Sequence, residues 1–152
     1  MDRKPRVLIV YHSQSGSTGR MAEAVIQGAR EYAEVRSCDA LQATADDVLW
    51  SDGLLLGTPE NFGYMSGAMK YFLDRIYYPC LDKVAGKPYG LFIKAGNDGS
   101  GAITSIHRIV KGLALKEIQP PVLAVGELDA DVLEQCEELG MTLAAGLEAG
   151  IF

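Results

Sequence analysis

The sequence predicts an α/β fold: a doubly wound, five-stranded parallel sheet sandwiched between two layers of helices. Three observations lead to it. Short continuous apolar runs alternate along the chain with longer stretches whose apolar residues recur at helical spacing. The runs are largely apolar on both faces, as parallel strands covered on both sides must be, and each crossover between such strands is a right-handed βαβ unit. The length, 152 residues, suits one domain with a substantial core, so residues 1–152 are read as a single unit.

The strands read in order as Arg6 to His12, Glu34 to Cys38, Gly53 to Gly57, Pro88 to Lys94 and Pro121 to Val125. Between the first two, Met21, Val25, Gly28 and Tyr32 recur at helical spacing. A weaker helical turn is expected at Asp46 to Trp50, before the third strand. Met65, Met69, Phe72, Leu73 and Ile76 mark the next helix, Ile103, Ile106, Val110 and Leu113 the one after it. Val132, Cys136, Leu139, Leu143 and Leu147 close the chain with a last helix. No repeat, linker or low-complexity segment competes with this pattern.

Composition narrows the function. The chain is 48% hydrophobic and 22% charged, with 17 glycines, a somewhat rich share that hints at loops closing tightly on something. Its net charge of −6 argues against nucleic acid or an anionic membrane, which need basic patches. "MDRKPRVLIVYH" has too short an apolar run for a leader or a span, so a cytoplasmic protein is expected. Cys38, Cys80 and Cys136 are odd in number and widely spaced, without CxxC, which suggests neither a disulfide framework nor a metal site. They read as inert, buried thiols.

Doubly wound sheets bind ligands beyond the carboxyl ends of their strands, where strand order reverses. The loops after the first, third and fourth strands are therefore where chemistry is expected. The first, "HSQSGSTG", leads into a helix N-terminus, where amides and the macrodipole favour an anion. Hydroxyls of Ser13, Ser15, Ser17 and Thr18 add donors, and Gly16 permits a tight wrap. No Lys follows as in GxxxxGK[ST], and GxGxxG is absent, so a Mg-nucleoside triphosphate and a dinucleotide fingerprint are both disfavoured. An uncharged cradle of this kind suits a terminal phosphate monoester. The plain alternative is a Ser-rich turn in which Ser17 merely caps the helix.

The second loop, "GTPENFGYMSG" at 57–67, carries Phe62 and Tyr64, aromatics that are costly to expose unless they cover something flat. The third, "KAGNDGSGA" at 94–102, has glycines that let main-chain amides approach a planar edge, and Asn97 can donate and accept. Either loop alone would be weak evidence. Three such loops at the three expected places are stronger.

On these residues the chain resembles the flavodoxin-like proteins, and more closely the short flavoproteins related to WrbA-type NAD(P)H:quinone oxidoreductases. The resemblance covers nearly the whole chain and implies a three-layer α/β/α fold with strand order 2-1-3-4-5. "SQSGST" matches the family's S/T-x-S/T-G-x-T loop, and the stretch from Gly57 to Arg75 follows its GTPxxFGxMxGxMKxFLDR. The resemblance implies that Ser13, Gln14, Ser15, Gly16, Ser17 and Thr18 hold the phosphate of FMN. It further implies that Thr58, Pro59, Glu60, Asn61, Phe62, Gly63 and Tyr64 line the flavin ring, and that Ala95, Gly96, Asn97, Asp98, Gly99 and Gly101 cover its other edge.

The resemblance also implies electron transfer from NAD(P)H to a quinone or similar acceptor; the alternative is a flavodoxin that only carries electrons, and a third is a fold that has lost its flavin. The chain departs from the quinone reductases in lacking a His in the third loop, and from carrier flavodoxins in lacking a Tyr there. One open ring face suits a stacked nicotinamide or quinone. No catalytic residue is assigned: His107 is expected within the fourth helix and His12 reads as structural. Asp74 and Arg75 are expected to pair at a helix end, and Asp129, Asp131, Glu134, Glu137 and Glu138 to form a solvated face that would also suit a basic redox partner. Relatives that reduce quinones are often dimers or tetramers, so a homo-oligomer is a further expectation.

Overall fold

A computed structural model describes residues 3–152; Met1 and Asp2, part of the stretch read for a leader, lie outside the described residues. In chain order the elements are β1 (Arg6–Tyr11), α1 (Ser17–Arg30), β2 (Glu34–Asp39), α2 (Ala45–Trp50), β3 (Gly53–Asn61) and β4 (Tyr64–Met65). Then follow α3 (Gly67–Cys80), β5 (Pro88–Ala95), α4 (Ser100–Gly112), β6 (Lys116–Glu117), β7 (Val122–Val125) and α5 (Ala130–Glu148).

The sheet runs β2-β1-β3-β5-β6, with β7 also on β5, which is the predicted 2-1-3-4-5 order. Its five positions are parallel. Alternate residues of the central strands enter opposite cores, as a period of two requires. Val7 and Ile9 meet Met21 and Val25 of α1 and Leu139 and Leu143 of α5, whereas Leu8 and Val10 share a core with Met69, Phe72 and Ile106 of α3 and α4. Helices α1 and α5 touch so closely that methyl groups at Gly28 and Gly140 would run into the carbonyls of Glu137 and Val25.

Three departures from expectation have physical causes. The fifth strand position is filled by two short pieces, β6 and β7, because Pro120 and Pro121 lie between them and have no N–H for the ladder. Strand β2 is mostly exposed, as an edge strand tolerates. The stretch expected as a loop from Gly57 is a β-hairpin: β3 continues to Asn61 and turns at Phe62 and Gly63. It returns as β4, so that Met65 is a strand residue and α3 begins only at Gly67. Phe62 and Gly63 have φ of 53° and 69°, both left-handed, as a two-residue turn compatible with strand twist demands.

Candidate functional site

The β1–α1 loop, the β3–β4 hairpin and the β5–α4 loop meet at the carboxyl edge of the sheet. The first of these ends on Gly16, the N-cap of α1, at φ 95°, which has no side chain with which to cap that helix; Ser13 Oγ takes the third amide, Gly19 N, and among the described residues no side chain takes the amides of Ser17 and Thr18. The reading of Ser17 as a capping residue is therefore corrected: Ser17 is the first residue of α1, not its cap. The first turn carries no acidic residue. Gln14, Ser15 and Gly16 are exposed, and the space beside Gly16 is open. Ser13 fixes the loop from within, its Oγ accepting from the Gly19 amide at 3.0 Å. Gln14 links it to the hairpin, its Oε1 accepting from Asn61 Nδ2 at 2.8 Å.

The N-terminus of α4 is arranged in the opposite way. Glu60, on the hairpin, reaches across: its Oε1 accepts from Gly99 N at 3.2 Å, and its Oε2 from Gly101 N and Ala102 N at 3.0 and 3.1 Å. The amides that would attract an external anion there are already taken by an internal carboxylate. Asp98 adds to this end, accepting from the amide and hydroxyl of Ser100 at 2.9 Å each. Those bonds to its charged form hold the Asp98 carboxyl below the usual range.

Hairpin and third loop are joined at two further points. Gly101 lies against Gly63, where a methyl group would run into the Gly63 carbonyl. Met65 N donates to Ser105 Oγ at 3.2 Å. Thr58 closes the hairpin base: it is 0% exposed, and its hydroxyl donates to Pro59 O at 2.8 Å and accepts from Ser66 N at 2.9 Å. Its side chain is thus a scaffold part and faces no ligand space. Ala95 and Gly99 are buried as well, whereas Gly96, Asn97 and Asp98 are exposed. Phe62, 107% exposed, and Tyr64, 42% exposed, stand at the hairpin tip.

The sequence did not reveal Ser66 and Ser105 as supports. Ser66 caps α3, accepting from Met69 N at 3.2 Å, and its position before an apolar helical pattern is a legible signal. Ser105 sits mid-helix and gives none.

Of the histidines, His107 lies apart from this cluster, whereas His12 borders it directly before Ser13, its amide donating to Gly57 O at 3.2 Å. His107 is 2.8 Å from Glu117, which pairs with Tyr89 at the amino end of β5, the far end of that strand from the loops. His12 has its Nδ1 3.5 Å from Asp39 at the end of β1. Asp74 and Arg75 do not pair with each other: Lys70 bonds Asp74 at 2.6 Å, while Arg75 donates to the Ala40 and Ala43 carbonyls. Asp129, read as part of an acidic face, is the N-cap of α5. Cys80 and Cys136 are buried and Cys38 partly so, all unpaired, and burial pushes the Cys136 thiol up to about 12.

A doubly wound 2-1-3-4-5 sheet between two helix layers, with three loops converging at its switch point, defines a flavodoxin-like fold. A sequence family described as NADPH-dependent FMN reductase matches residues 21–127, and the chain belongs to it. Among its relatives, a flavodoxin of Aquifex aeolicus is 41% identical over 98 residues, covering 63% of this chain and 53% of that protein, so the match spans about half of the relative's length. An NAD(P)H dehydrogenase (quinone) of Geobacter sulfurreducens is 28% identical over 170 residues, covering 92% of this chain and 84% of that protein. In three dimensions a flavodoxin from the Archaea superposes with a TM-score of 0.84 at 21% identity, over 94% of this chain and 99% of the other, a likeness of fold.

Proposed function

We propose that the chain is one FMN-binding domain that passes electrons from NAD(P)H to a quinone or similar acceptor. One observation carries this reading: of the two helix N-termini at the site, α4 is filled by the Glu60 carboxylate, whereas α1 has only the neutral Ser13 hydroxyl on its third amide and no side chain on those of Ser17 and Thr18. A phosphate monoester fits the second and is repelled from the first. FMN, when bound, supplies the redox chemistry.

The chain's own residues do the holding and orienting. Exposed Ser15 and partly exposed Ser17 would meet the phosphate with hydroxyls, and α1 with the amides of Ser17 and Thr18, while Ser13, bonded to Gly19 N, and the buried Thr18 side chain shape the cradle from within. The Gln14–Asn61 bond fixes that cradle relative to the hairpin. Phe62, Gly63 and Tyr64 at the hairpin tip, with Gly96 and Asn97 opposite, would border the ring. Fully exposed Phe62 makes sense once its face covers a planar ligand or a second subunit.

The carrier reading has its own support in the 41% identity to a flavodoxin. Turnover separates the two: FMN-loaded protein oxidising NADPH or NADH with a quinone supports the enzyme, and none with any quinone leaves the carrier. A homo-oligomer and a cytoplasmic setting belong to the same proposal; the unpaired thiols suit a reducing compartment. No helix among the described residues is long and apolar enough to cross a membrane.

Ser15→Asp tests the cradle directly. Ser15 is exposed, so the fold should be retained while the new carboxylate repels the phosphate and FMN binding is lost in a fluorescence titration. Tight FMN binding by this variant would show the loop to be misassigned.

A further inference from the structure

Outside the cradle, a groove runs between α3 and α4, beginning where the hairpin tip meets the third loop. Its upper cavity, about 490 Å³, is lined by Gly63, Tyr64, Lys70, Gly101, Thr104 and Arg108 among others. A second cavity of about 330 Å³ continues it along the same helices and shares Lys70 and Arg108. Both volumes are within the range of small-molecule sites.

Two cations facing one groove are an exception in a chain of net charge −6. Lys70 is held by Asp74 at 2.6 Å, which offsets much of its charge. Arg108 is exposed and makes no ion pair among the described residues. An unpaired guanidinium presents a planar fork suited to a phosphate. Thr104 adds a hydroxyl one turn earlier on α4, and half-exposed Tyr64 offers an aromatic face on which a purine can stack. A quinone carbonyl can accept from a guanidinium, but an anionic nucleotide phosphate accepts two charge-assisted bonds in the fork and fits it better.

We propose that this groove seats the phosphate-bearing adenosine end of the nicotinamide donor, with Arg108 as its anchor, and that it selects NADPH over NADH. The proposal rests on the NAD(P)H-dependent reading given above. The groove borders Gly63 and Gly101, the contact at which hairpin and third loop close, so a donor seated there has its other end directed toward the ring-bordering residues. The FMN phosphate has a separate cradle on α1, on the other side of that contact.

The test is a calorimetric titration of 2′,5′-ADP and 5′-AMP into the full chain, with and without added FMN. Wild type is compared with Arg108→Glu and with Lys111→Glu, which makes the same charge change on α4 at a residue that does not line this groove. Wild type should prefer 2′,5′-ADP, and Arg108→Glu should weaken it by about tenfold or more, the worth of a charge-assisted phosphate contact. Lys111→Glu should stay within about twofold, a long-range effect only, and FMN affinity should be unchanged in both variants. Equal binding by wild type and Arg108→Glu, an equal loss in Lys111→Glu, or no preference for the 2′-phosphate would each overturn the proposal. Binding of 2′,5′-ADP through Arg108 by a protein that takes up no FMN would sustain the groove and remove the flavin reading. FMN uptake with no effect of Arg108→Glu would do the reverse.

Discussion

Glu60 is the residue on which the assembled site turns, and its removal has a calculable cost. Glu60→Ala strips the acceptors from Gly99 N, Gly101 N and Ala102 N. Loss of a helix cap costs about 1–2 kcal/mol, and the favourable charge at the α4 N-terminus adds about 0.3–1 kcal/mol. Gly101 is partly exposed, so water can replace part of this, but Gly99 and Ala102 are buried, so their amides keep most of their desolvation penalty. A loss of about 2–3 kcal/mol follows, which for a chain of this size lowers the melting temperature by roughly 5–10 °C. Glu60→Gln keeps one oxygen, enough for the amides of Gly101 and Ala102, and turns an NH₂ toward Gly99 N–H. It should lose about half as much. Thermal unfolding of FMN-free protein, followed by far-ultraviolet circular dichroism, reads both values. If Glu60→Ala melts within about 1 °C of wild type, Glu60 does not clamp the hairpin to α4. The contrast between the two helix ends then loses its basis.

Phe62→Gly should relieve an aromatic held at φ 53°, leaving stability unchanged or raised by about 1 kcal/mol, while FMN affinity in a fluorescence titration falls; a clear loss of stability would contradict the strain argument. Gly28→Ala and Gly140→Ala each drive a methyl into the backbone of the facing helix and should cost at least about 1–3 kcal/mol in urea unfolding, whereas unchanged midpoints would mean that α1 and α5 can separate freely. For Asp52, burial opposes the charged form, but hydrogen bonds from the Arg3 guanidinium and the Arg6 amide prevail and lower its pKa. A depressed folded value means that the unfolded chain binds more protons in the acid range. Its contribution is therefore full above about pH 4 and lost as pH falls through the folded value. Urea midpoints measured against pH should accordingly show Asp52→Asn weakened at neutral pH, with the gap to wild type closing below about pH 4.

What was legible in the sequence depended on how local the cause was. The strands, the helices and the first loop come from apolar periodicity and from a short Ser/Gly run, signals contained within each segment, whereas the strand order, a non-local property, came with the family resemblance. The hairpin was missed because "ENFGYM" has no Asn-Gly at its turn; Phe62 takes a left-handed φ that aromatic residues rarely adopt, and pairing across the turn sustains it. Thr58 and Glu60 were placed at the site by resemblance, but not their tasks. Thr58 closes on Ser66, eight residues on across the unread hairpin, and Glu60 on amides about 40 residues away. No window of local sequence contains both partners of the Glu60 bonds. The pairing of Asp74 with Lys70 rather than Arg75 follows a different rule, the neighbourhood of residues four apart on a helix, and was open to that reasoning.

The seven residues Gly57 to Gly63 combine tasks that would otherwise need several elements. Gly57 leaves room for the ring of Phe92, which a methyl group would strike, so the strand can pass over the core and emerge at its edge. Thr58 and Glu60 then tie the emerging hairpin to α3 and α4, and Asn61 ties it to the phosphate loop. These bonds are all made in the protein by itself, before any ligand is considered. A ligand entering such a site meets loops whose ordering cost has already been met in folding, and the cost of immobilising them is absent from its binding free energy. The same bonds explain the distribution of charge at the site. By satisfying α4 internally, Glu60 removes a competing anion position within reach of the hairpin, which under the proposed function directs a phosphate to the amides of Ser17 and Thr18 at the start of α1.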